Sequence, residues 1–307
     1  MAAYFISQAT GHQARSTIAH LLEAGAKVHA LVRNFDKAKT HPVLQRPGVT
    51  LFEGESVDTE AVTKAVQGCA GVFLNTFPIP GLDTKQAKTI IEESKKAGIK
   101  TIVATTTFGV GNKELWDDEV TKKVGLHGYF QSKYEIETMV RNAGFDAWTI
   151  LRPAFISFDY MLPGAYGNFP KLAEKAELDH FYDPDSRMGQ TDIEDIGKFA
   201  AAALQDPSKF RGHAIDLVRD NLTIEEVRQI LVRVTGRKVT AKRYSPEEFN
   251  PAIFGQAFHF WANVKDISPV MESAKAAETK FGMPFTSLED ALTRDKERVL
   301  ECIPVVD

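Results

Sequence analysis

Tyr129 and Lys133 lie four positions apart in the segment Tyr129-Phe-Gln-Ser-Lys133. Residues at this spacing share one face of a helix, so the pattern predicts a phenol and an ammonium one turn apart. A neighbouring positive charge favours the phenolate and lowers a tyrosine pKa. Tyr129 is therefore suited to act as an acid toward a carbonyl or imine. The alternative is a packing tyrosine beside a solvated lysine.

A second candidate site is the turn Gln8-Ala-Thr-Gly11-His-Gln-Ala14. Dinucleotide-binding turns have Gly-x-x-Gly-x-x-Gly here, for the tight turn, for close approach of the pyrophosphate and for helix–strand packing. Only Gly11 is kept, since Gln8 places a side chain where the turn favours none and Ala14 departs mildly. The following helix offers N–H groups and a positive dipole to phosphate. We expect a phosphate-binding turn, with an ordinary strand–helix turn as the alternative.

Arg33 follows the second predicted strand, 22 positions after Gly11. A Rossmann site reads the ribose about 20 positions after its glycine-rich turn, and an acidic residue there favours NAD. Arg33 instead offers a planar cation to a 2′-phosphate, and Lys37 and Lys39 add positive charge. The sequence therefore favours NADP over NAD. Separately, Lys133 is suited to hold the nicotinamide ribose. A solvated basic surface is the other interpretation.

The elements that must position these residues alternate regularly in the first half of the chain. Short apolar runs predict strands, and helical periodicity between them predicts helices. The strands are expected at 3–7, 27–32, 49–52, 71–75, 100–105 and 147–151, and the helices at 12–24, from the capping residue Asp58 to near Gly68, at 84–97 and at 129–143. This alternation predicts an α/β fold with a doubly wound parallel sheet, whose ligands bind at the carboxyl ends of the strands.

The second half is less regular and predicts a smaller substrate-binding part. It begins with an aromatic, Pro/Gly-rich stretch over 153–189 and continues with predicted helices at 192–204 and 223–234 and a strand at 213–218 that returns to the sheet. We expect a Rossmann domain over 1–153, joined by 190–218, and a substrate-binding part over 154–307. Aromatic residues between Tyr244 and Met271 indicate core packing or the wall of an apolar pocket.

Composition argues against several classes of protein. The 307 residues include 37 Lys and Arg against 41 Asp and Glu, a net charge of −4. This balance gives no global attraction to nucleic acid or to anionic membranes. The two cysteines, Cys69 and Cys302, are too few for a disulfide scaffold or a cysteine-based zinc site. No apolar run reaches the ~18 residues of a membrane span, and we expect a cytoplasmic protein. We also expect no metal site. Its oligomeric state is left open.

Several short motifs occur together in a fixed order. They are Ala9-Thr-Gly11-x-Gln13, Val32-Arg-Asn34, Gly71-Val-Phe-Leu-Asn-Thr76, Ser132-Lys-x-Glu-x-Glu137 and Ile150-Leu-Arg-Pro153. With this set the chain resembles the NmrA-like family of atypical short-chain dehydrogenases, which are related to isoflavone-reductase-like enzymes. The resemblance covers roughly residues 3 to 235. It implies a Rossmann domain that binds NADP(H) and a smaller C-terminal substrate domain.

The resemblance also implies roles for individual residues. Carried over by position, Thr10, Gly11, His12 and Gln13 hold the pyrophosphate, Arg33 the 2′-phosphate and Lys133 the nicotinamide ribose, while Asn75 and Thr76 flank the cofactor and Pro153 to Phe155 line the nicotinamide. Gln8 and Ala14 depart from the family turn. Members often lack the tyrosine of ordinary short-chain dehydrogenases and retain the lysine, whereas this chain has both.

Three functions are consistent with these observations. The first is an NADPH-dependent oxidoreductase that reduces a carbonyl or imine of a small apolar, aromatic or polycyclic metabolite, as in secondary metabolism. Tyr129 then supplies the proton, Thr105 or Thr106 orients the acceptor group, and His127 is the alternative acid. The second is an NADP(H)-sensing regulator, which the NmrA-like family includes, and the third is a non-redox cyclase or isomerase. The glycine-bracketed stretch 109–125 is either a mobile cover over the site or a fixed loop.

Overall fold

The computed structural model describes residues 1–306, which form two compact units. Unit 1 comprises Met1–Gly111, Gly128–Arg152 and Ile193–Ile215, and unit 2 comprises Asn112–His127, Pro153–Asp192 and the chain from Asp216 onward. The stretch Asn112–His127 therefore packs within unit 2, although the boundary expected at 153 places it in the first domain.

The strands and helices follow one another along the chain with short connections. The strands are β1 (Ala3–Ile6), β2 (Lys27–Val32), β3 (Val49–Glu53), β4 (Cys69–Leu74), β5 (Thr101–Thr105), β6 (Ala147–Pro153), β7 (Phe155–Ile156), β8 (Glu177–His180), β9 (Arg187–Thr191), β10 (His213–Leu217), β11 (Asp220–Thr223) and β12 (Thr240–Arg243). The helices are α1 (His12–Glu23), α2 (Phe35–Ala38), α3 (Thr59–Val66), α4 (Leu82–Lys96), α5 (Glu119–Lys123), α6 (His127–Asn142), α7 (Pro170–Lys175), α8 (Ile193–Gln205), α9 (Pro207–Phe210), α10 (Ile224–Thr235), α11 (Phe254–Ala262), α12 (Ser268–Phe281), α13 (Leu288–Arg294) and α14 (Lys296–Cys302).

A seven-stranded sheet in the order β3-β2-β1-β4-β5-β6-β10 forms the centre of the fold. The neighbouring pairs from β3 to β6 are parallel, with Ile6 opposite Ala30 of β2 and Phe73 of β4. This order is that of a doubly wound sheet, so the predicted fold class is confirmed. The strand predicted at 213–218 is β10, and it lies at the sheet edge beside β6.

The helices of unit 1 pack against the sheet through apolar residues that recur at helical spacing on one face of each helix. Ala61, Val62 and Ile90 from α3 and α4 are buried against Phe5 and Val72 of the sheet. The predicted cap of α3 is confirmed, since the Asp58 carboxylate accepts from the N–H groups of Glu60 and Ala61 at 3.0 and 3.2 Å. The cap satisfies two of the N–H groups that a helix start leaves unpaired.

Helices α1 and α8 pack closely because Gly197 has no side chain. A Cβ at Gly197 would lie 2.1 Å from Ser16 Oγ on α1. The Glu194 carboxylate at the start of α8 accepts from Ser16 Oγ at 3.0 Å and lies 2.9 Å from His20 Nε2. These contacts fix α1, and with it the turn that precedes α1, against the rest of unit 1.

Unit 2 contains smaller sheets and an aromatic core. Its sheets have the orders β11-β9-β7 and β12-β8. The aromatic stripe of α11 divides between core and surface, because Trp261 is fully buried whereas Phe254 is exposed. Leu115 and Trp116 of the 109–125 stretch are buried, and the carbonyl of Leu115 accepts from Trp261 Nε1 at 3.2 Å. Among residues 1–306, no helix is long and apolar enough to cross a bilayer.

Candidate active site

The turn after β1 keeps its tight shape although a glutamine occupies its first position. Gln8 has φ 51°, in the left-handed region that glycine adopts at lowest cost. The Gly11 N–H donates to the Gln8 carbonyl at 2.8 Å, and a Cβ on Gly11 would lie 3.1 Å from that oxygen. The Gln8 side chain is directed to Ser56, whose Oγ accepts from Gln8 Nε2 at 3.3 Å. The glutamine therefore raises the conformational energy of the turn, but the backbone keeps the path of a tight turn.

The N-terminus of α1 is built to receive an anion. Gly11 precedes the helix in an extended conformation and provides no side-chain cap. The first-turn N–H groups therefore receive no side-chain cap from Gly11, and they carry the positive end of the helix dipole. Thr10, His12 and Gln13 surround this helix start and are partly exposed. A helix N-terminus of this kind is suited to the pyrophosphate of a dinucleotide.

The carboxyl ends of β1 and β4 are joined by Ser7. Its Oγ donates to the Asn75 carbonyl at 2.7 Å and accepts from the Asn75 N–H at 2.8 Å. Asn75 and Thr76 are thereby held beside the turn that follows β1. Of the pair, Thr76 is buried and Asn75 is partly exposed.

Lys133 is the centre of a buried polar cluster. It is 4 % exposed, and its Nζ donates to Thr76 Oγ1 and to Asp83 Oδ2, at 3.2 Å in each case. Asp83, near the start of α4, is fully buried and also accepts from Ser132 Oγ at 2.7 Å. Burial lowers the pKa of Lys133, and the Asp83 carboxylate opposes this change by stabilising the ammonium. Sequence reasoning missed Asp83, because an aspartate in the first turn of a helix is ordinary helix chemistry.

Tyr129 lies one turn before Lys133 on α6, as the spacing predicts. The Lys133 Nζ is 5.6 Å from the centroid of the Tyr129 ring, within the range of a cation–π contact. Tyr129 is partly exposed, whereas Lys133 and Ser132 are buried. The structure thus brings Tyr129, Lys133 and Thr76 together near the carboxyl end of β4.

The two threonines after β5 have different surroundings. Thr105 Oγ1 donates to Gln13 Oε1 at 2.7 Å, which connects the end of β5 to the start of α1. Thr106 Oγ1 instead donates at 2.8 Å to Glu137, a buried carboxylate that also accepts two bonds from Arg152. Thr106 therefore belongs to a structural ion-pair network, and of the two it is Thr105 that lies beside a residue of the candidate cofactor site.

Arg33 is exposed at the carboxyl end of β2, where the sequence places it. Its Cζ lies 5.9 Å from the centroid of the Phe77 ring, and Phe77 is 44 % exposed. An exposed aromatic ring beside a guanidinium offers a surface on which a planar base can stack, and nothing in the sequence pattern pointed to Phe77. Of the two lysines expected to add charge, Lys39 is paired with Asp36 at 3.1 Å and Lys37 is exposed.

Three other predicted residues belong to unit 2. His127 Nε2 lies 2.9 Å from Asp117 Oδ1, and hydrogen bonding to His127 lowers the pKa of the Asp117 carboxyl. Pro153 ends β6 and Phe155 begins β7. The Phe155 ring is buried, with its centroid 5.7 Å from that of Tyr160. No group of His, Cys, Asp and Glu within residues 1–306 is arranged to hold a metal ion.

The strand order, the turn after β1 and the uncapped start of α1 define a protein of the Rossmann dinucleotide-binding class. The comparisons with known proteins narrow this class. The model of the NmrA-like family matches residues 5–295. The chain belongs to the NmrA-like family, as the motifs predict.

Individual relatives are distant in sequence but similar in fold. The NmrA-like family domain-containing oxidoreductase malD of Malbranchea aurantiaca is 24% identical over 250 residues, which cover 75% of this chain and 71% of malD. The structure of the NADPH-dependent quinone oxidoreductase QOR2 of Escherichia coli in complex with NADPH has a TM-score of 0.72 at 21% identity, covering 95% of this chain and 99% of that one. The structure of NmrA, a negative transcriptional regulator, in complex with NAD has a TM-score of 0.72 at 20% identity and covers 97% and 96% of the two chains.

Proposed function

We propose that this protein is an NADPH-dependent oxidoreductase that reduces a carbonyl or imine group of a small apolar, aromatic substrate. The observation that carries the proposal is the cluster of Lys133, Thr76 and Asp83 beside Tyr129. Thr76 follows the carboxyl end of β4, next to the turn that follows β1. Ligands of doubly wound sheets bind at the carboxyl ends of the strands. The names of relatives such as malD and the QOR2 quinone oxidoreductase support the same class of reaction.

The residues of unit 1 fit NADP(H). The N-terminus of α1 and Gly11 are suited to the pyrophosphate, and Arg33 offers a guanidinium to a 2′-phosphate. A lysine has three N–H donors. Lys133 uses two of them on Thr76 and Asp83, which leaves the third for a ribose hydroxyl. NADPH, when bound, supplies the hydride that reduction of a carbonyl or imine requires.

Tyr129 supplies the proton in this proposal. As hydride reaches the carbon of the substrate group, negative charge develops on its oxygen or nitrogen, and the Tyr129 hydroxyl proton is transferred to that atom. Tyr129 is partly exposed, so solvent restores the proton to the phenolate oxygen. Thr105 lies at the carboxyl end of β5, and we propose that its O–H, which donates to Gln13 Oε1 in the structure, turns to donate to the carbonyl or imine of the substrate.

The test is Tyr129→Phe, with Tyr134→Phe on the same helix as the matched control. General acid catalysis contributes about 10²- to 10⁴-fold, so we expect a loss of kcat in that range for Tyr129→Phe and no change for Tyr134→Phe. Turnover is followed by NADPH absorbance with a panel of quinones, aromatic ketones and imines. Calorimetric titration should give the same NADPH affinity for both variants. An intact kcat in Tyr129→Phe on a true substrate would show that Tyr129 is not the acid.

The same experiment separates the two other functions. A non-redox cyclase or isomerase forms product without loss of NADPH absorbance. A regulator binds the nucleotide and turns over none of the panel, as the structural similarity to the NmrA regulator permits. Either result would replace the reductase proposal.

A further inference from the structure

Arg15, His12 and His41 form a basic cluster that the proposed reaction does not use. Arg15 extends from the first turns of α1, and its NH2 lies 2.8 Å from His12 Nδ1. Its NH1 lies 3.1 Å from Nδ1 of His41, which follows α2. All three side chains are partly exposed, so a ligand can reach them.

The position of Arg15 relates the cluster to the nucleotide site. The guanidinium connects the start of α1, where the pyrophosphate is proposed to bind, with the chain that follows β2. A Rossmann fold reads the 2′ position of the adenine ribose in this chain segment. Because strands β1 and β2 are parallel neighbours, their carboxyl ends and the chain that follows each of them lie side by side. Arg15 is thus placed between the two loops that approach that ribose.

The hydrogen bonds also fix the protonation pattern of the cluster. A guanidinium has donors and no acceptor, so Nδ1 of both histidines must accept and carries no proton. Burial and the charge of Arg15 both lower the pKa of His41. Among the charged groups on the neighbouring segments, Lys39 is paired with Asp36 at 3.1 Å and Arg46 with Glu23 at 4.0 Å, whereas Arg33 and Lys37 are exposed. The cluster therefore consists of one permanent cation between two neutral bases.

We propose that Arg15 binds the 2′-phosphate of NADP(H) and that His12 and His41 take up protons when it does so. This inference rests on the proposed function in that it places the nucleotide at the start of α1. A phosphate with two negative charges offers three acceptor oxygens, which a guanidinium matches with paired N–H donors. Once the phosphate occupies those donors, the two imidazoles lose their bonds to Arg15 and face a dianion, which favours their protonated forms. A nucleotide without the 2′-phosphate leaves the contact between Arg15 and His41 unchanged.

The experiment is calorimetric titration at pH 7.5, where a phosphate with a second pKa near 6 is mostly dianionic. The titrants are NADPH, NADH, adenosine 2′,5′-bisphosphate and ADP, each in phosphate-free buffers of different ionisation enthalpy. We expect uptake of a measurable fraction of a proton with the two 2′-phosphorylated ligands and a smaller uptake with the other two, whose pyrophosphate lies beside His12 alone. His41→Asn, at the histidine that lies outside the proposed pyrophosphate site, should lower the uptake while it retains binding.

Arg15→Met tests the guanidinium, and Arg46→Met is the control at an exposed arginine on a neighbouring segment. Loss of a charge-assisted hydrogen bond should reduce the preference for NADPH over NADH about tenfold to a hundredfold in Arg15→Met. The preference should be unchanged in Arg46→Met. Circular dichroism establishes that each variant is folded, and Arg15→Lys, which keeps the charge and loses the paired donors, should retain part of the preference.

The outcomes separate this inference from the proposed function. An unchanged preference in folded Arg15→Met, or equal proton uptake with NADH, overturns the role of the cluster and leaves the reductase proposal intact. Proton-linked binding of adenosine 2′,5′-bisphosphate by a protein that reduces no substrate supports the cluster and contradicts the reductase. Failure of every nucleotide to bind overturns both.

Discussion

Asp83→Asn removes the carboxylate that pairs with the Lys133 ammonium inside unit 1. Asp83 is fully buried and Lys133 nearly so, hence water does not replace the lost charge. Two unit charges 3.2 Å apart attract by about 5 kcal/mol at an effective dielectric constant of 20. Lys133 also limits the loss, because burial lowers its pKa and it can release its proton once the carboxylate is gone. We expect the free energy of unfolding to fall by about 3–5 kcal/mol at pH 7.

The effect of pH on this loss follows from Lys133. Burial lowers its pKa in the folded protein, and Asp83 opposes that change, so removing Asp83 lowers the folded-state pKa further. A base with a depressed folded-state pKa destabilises the fold as pH falls below its unfolded value. The deficit of Asp83→Asn should therefore shrink as pH rises from 7 toward 10, by at most about 1.4 kcal/mol per pH unit, where the folded variant has released the proton and the unfolded chain still holds it.

Urea unfolding followed by far-ultraviolet circular dichroism at pH 7 and pH 9 measures this effect. Glu60→Gln is the control, because it breaks the exposed pair of Glu60 with Lys64 at 2.6 Å and should leave the midpoint unchanged. Adding Lys133→Met to Asp83→Asn should restore most of the stability, since no unpaired charge remains. A loss below about 1 kcal/mol that does not vary with pH would refute a charged Lys133 held by Asp83.

Two further changes test the turn and unit 2. Gln8 has φ 51°, so Gln8→Gly should be about 1 kcal/mol more stable than Gln8→Ala in urea unfolding, and equal stabilities would contradict a strained backbone at this position. Burial of its carboxyl raises the pKa of Asp159 to about 7. An acid with a raised folded-state pKa loses stability as pH rises toward that value, so Asp159→Asn should be about 2–4 kcal/mol more stable than the wild type at pH 8 and equal to it near pH 4. A constant difference between these pH values would contradict an enclosed carboxyl.

The sheet could be predicted because its signals are local. Each strand of unit 1 is a short apolar run, and the helices between them have apolar faces at helical spacing, as Val62 and Ile90 illustrate. Element bounds differ from the prediction by a few residues, for example α6, which starts at His127 rather than Tyr129. The sequence did not predict that Asn112–His127 packs within unit 2. Trp116 of this stretch is buried, and the carbonyl of its neighbour Leu115 accepts from Trp261, which is distant in sequence, so local periodicity gives no sign of the contact.

The candidate site was predictable in part for the same reason. Gly11, Arg33 and the Tyr129–Lys133 pair follow from spacing within one turn, one βαβ unit or one helix. Asp83 and Phe77 could not be found in this way. Each is distant in sequence from the residue it meets, Asp83 from Lys133 and Phe77 from Arg33, and each has an ordinary local role.

Asp83 changes the interpretation of Lys133 in the proposed reaction. From the sequence, Lys133 has two candidate roles, as an ammonium that lowers the pKa of Tyr129 and as a donor to the nicotinamide ribose. In the structure its Nζ lies 3.2 Å from a carboxylate oxygen and 5.6 Å from the centroid of the Tyr129 ring. The field of an ion pair decreases with distance faster than that of a single charge, so little of it reaches the phenol. The pairing instead fixes Nζ in place and orients its remaining donor, which is what a group that holds a ribose hydroxyl requires. The structure therefore favours Lys133 as the residue that positions the cofactor, and the protonation step in the proposed reaction depends on Tyr129 itself.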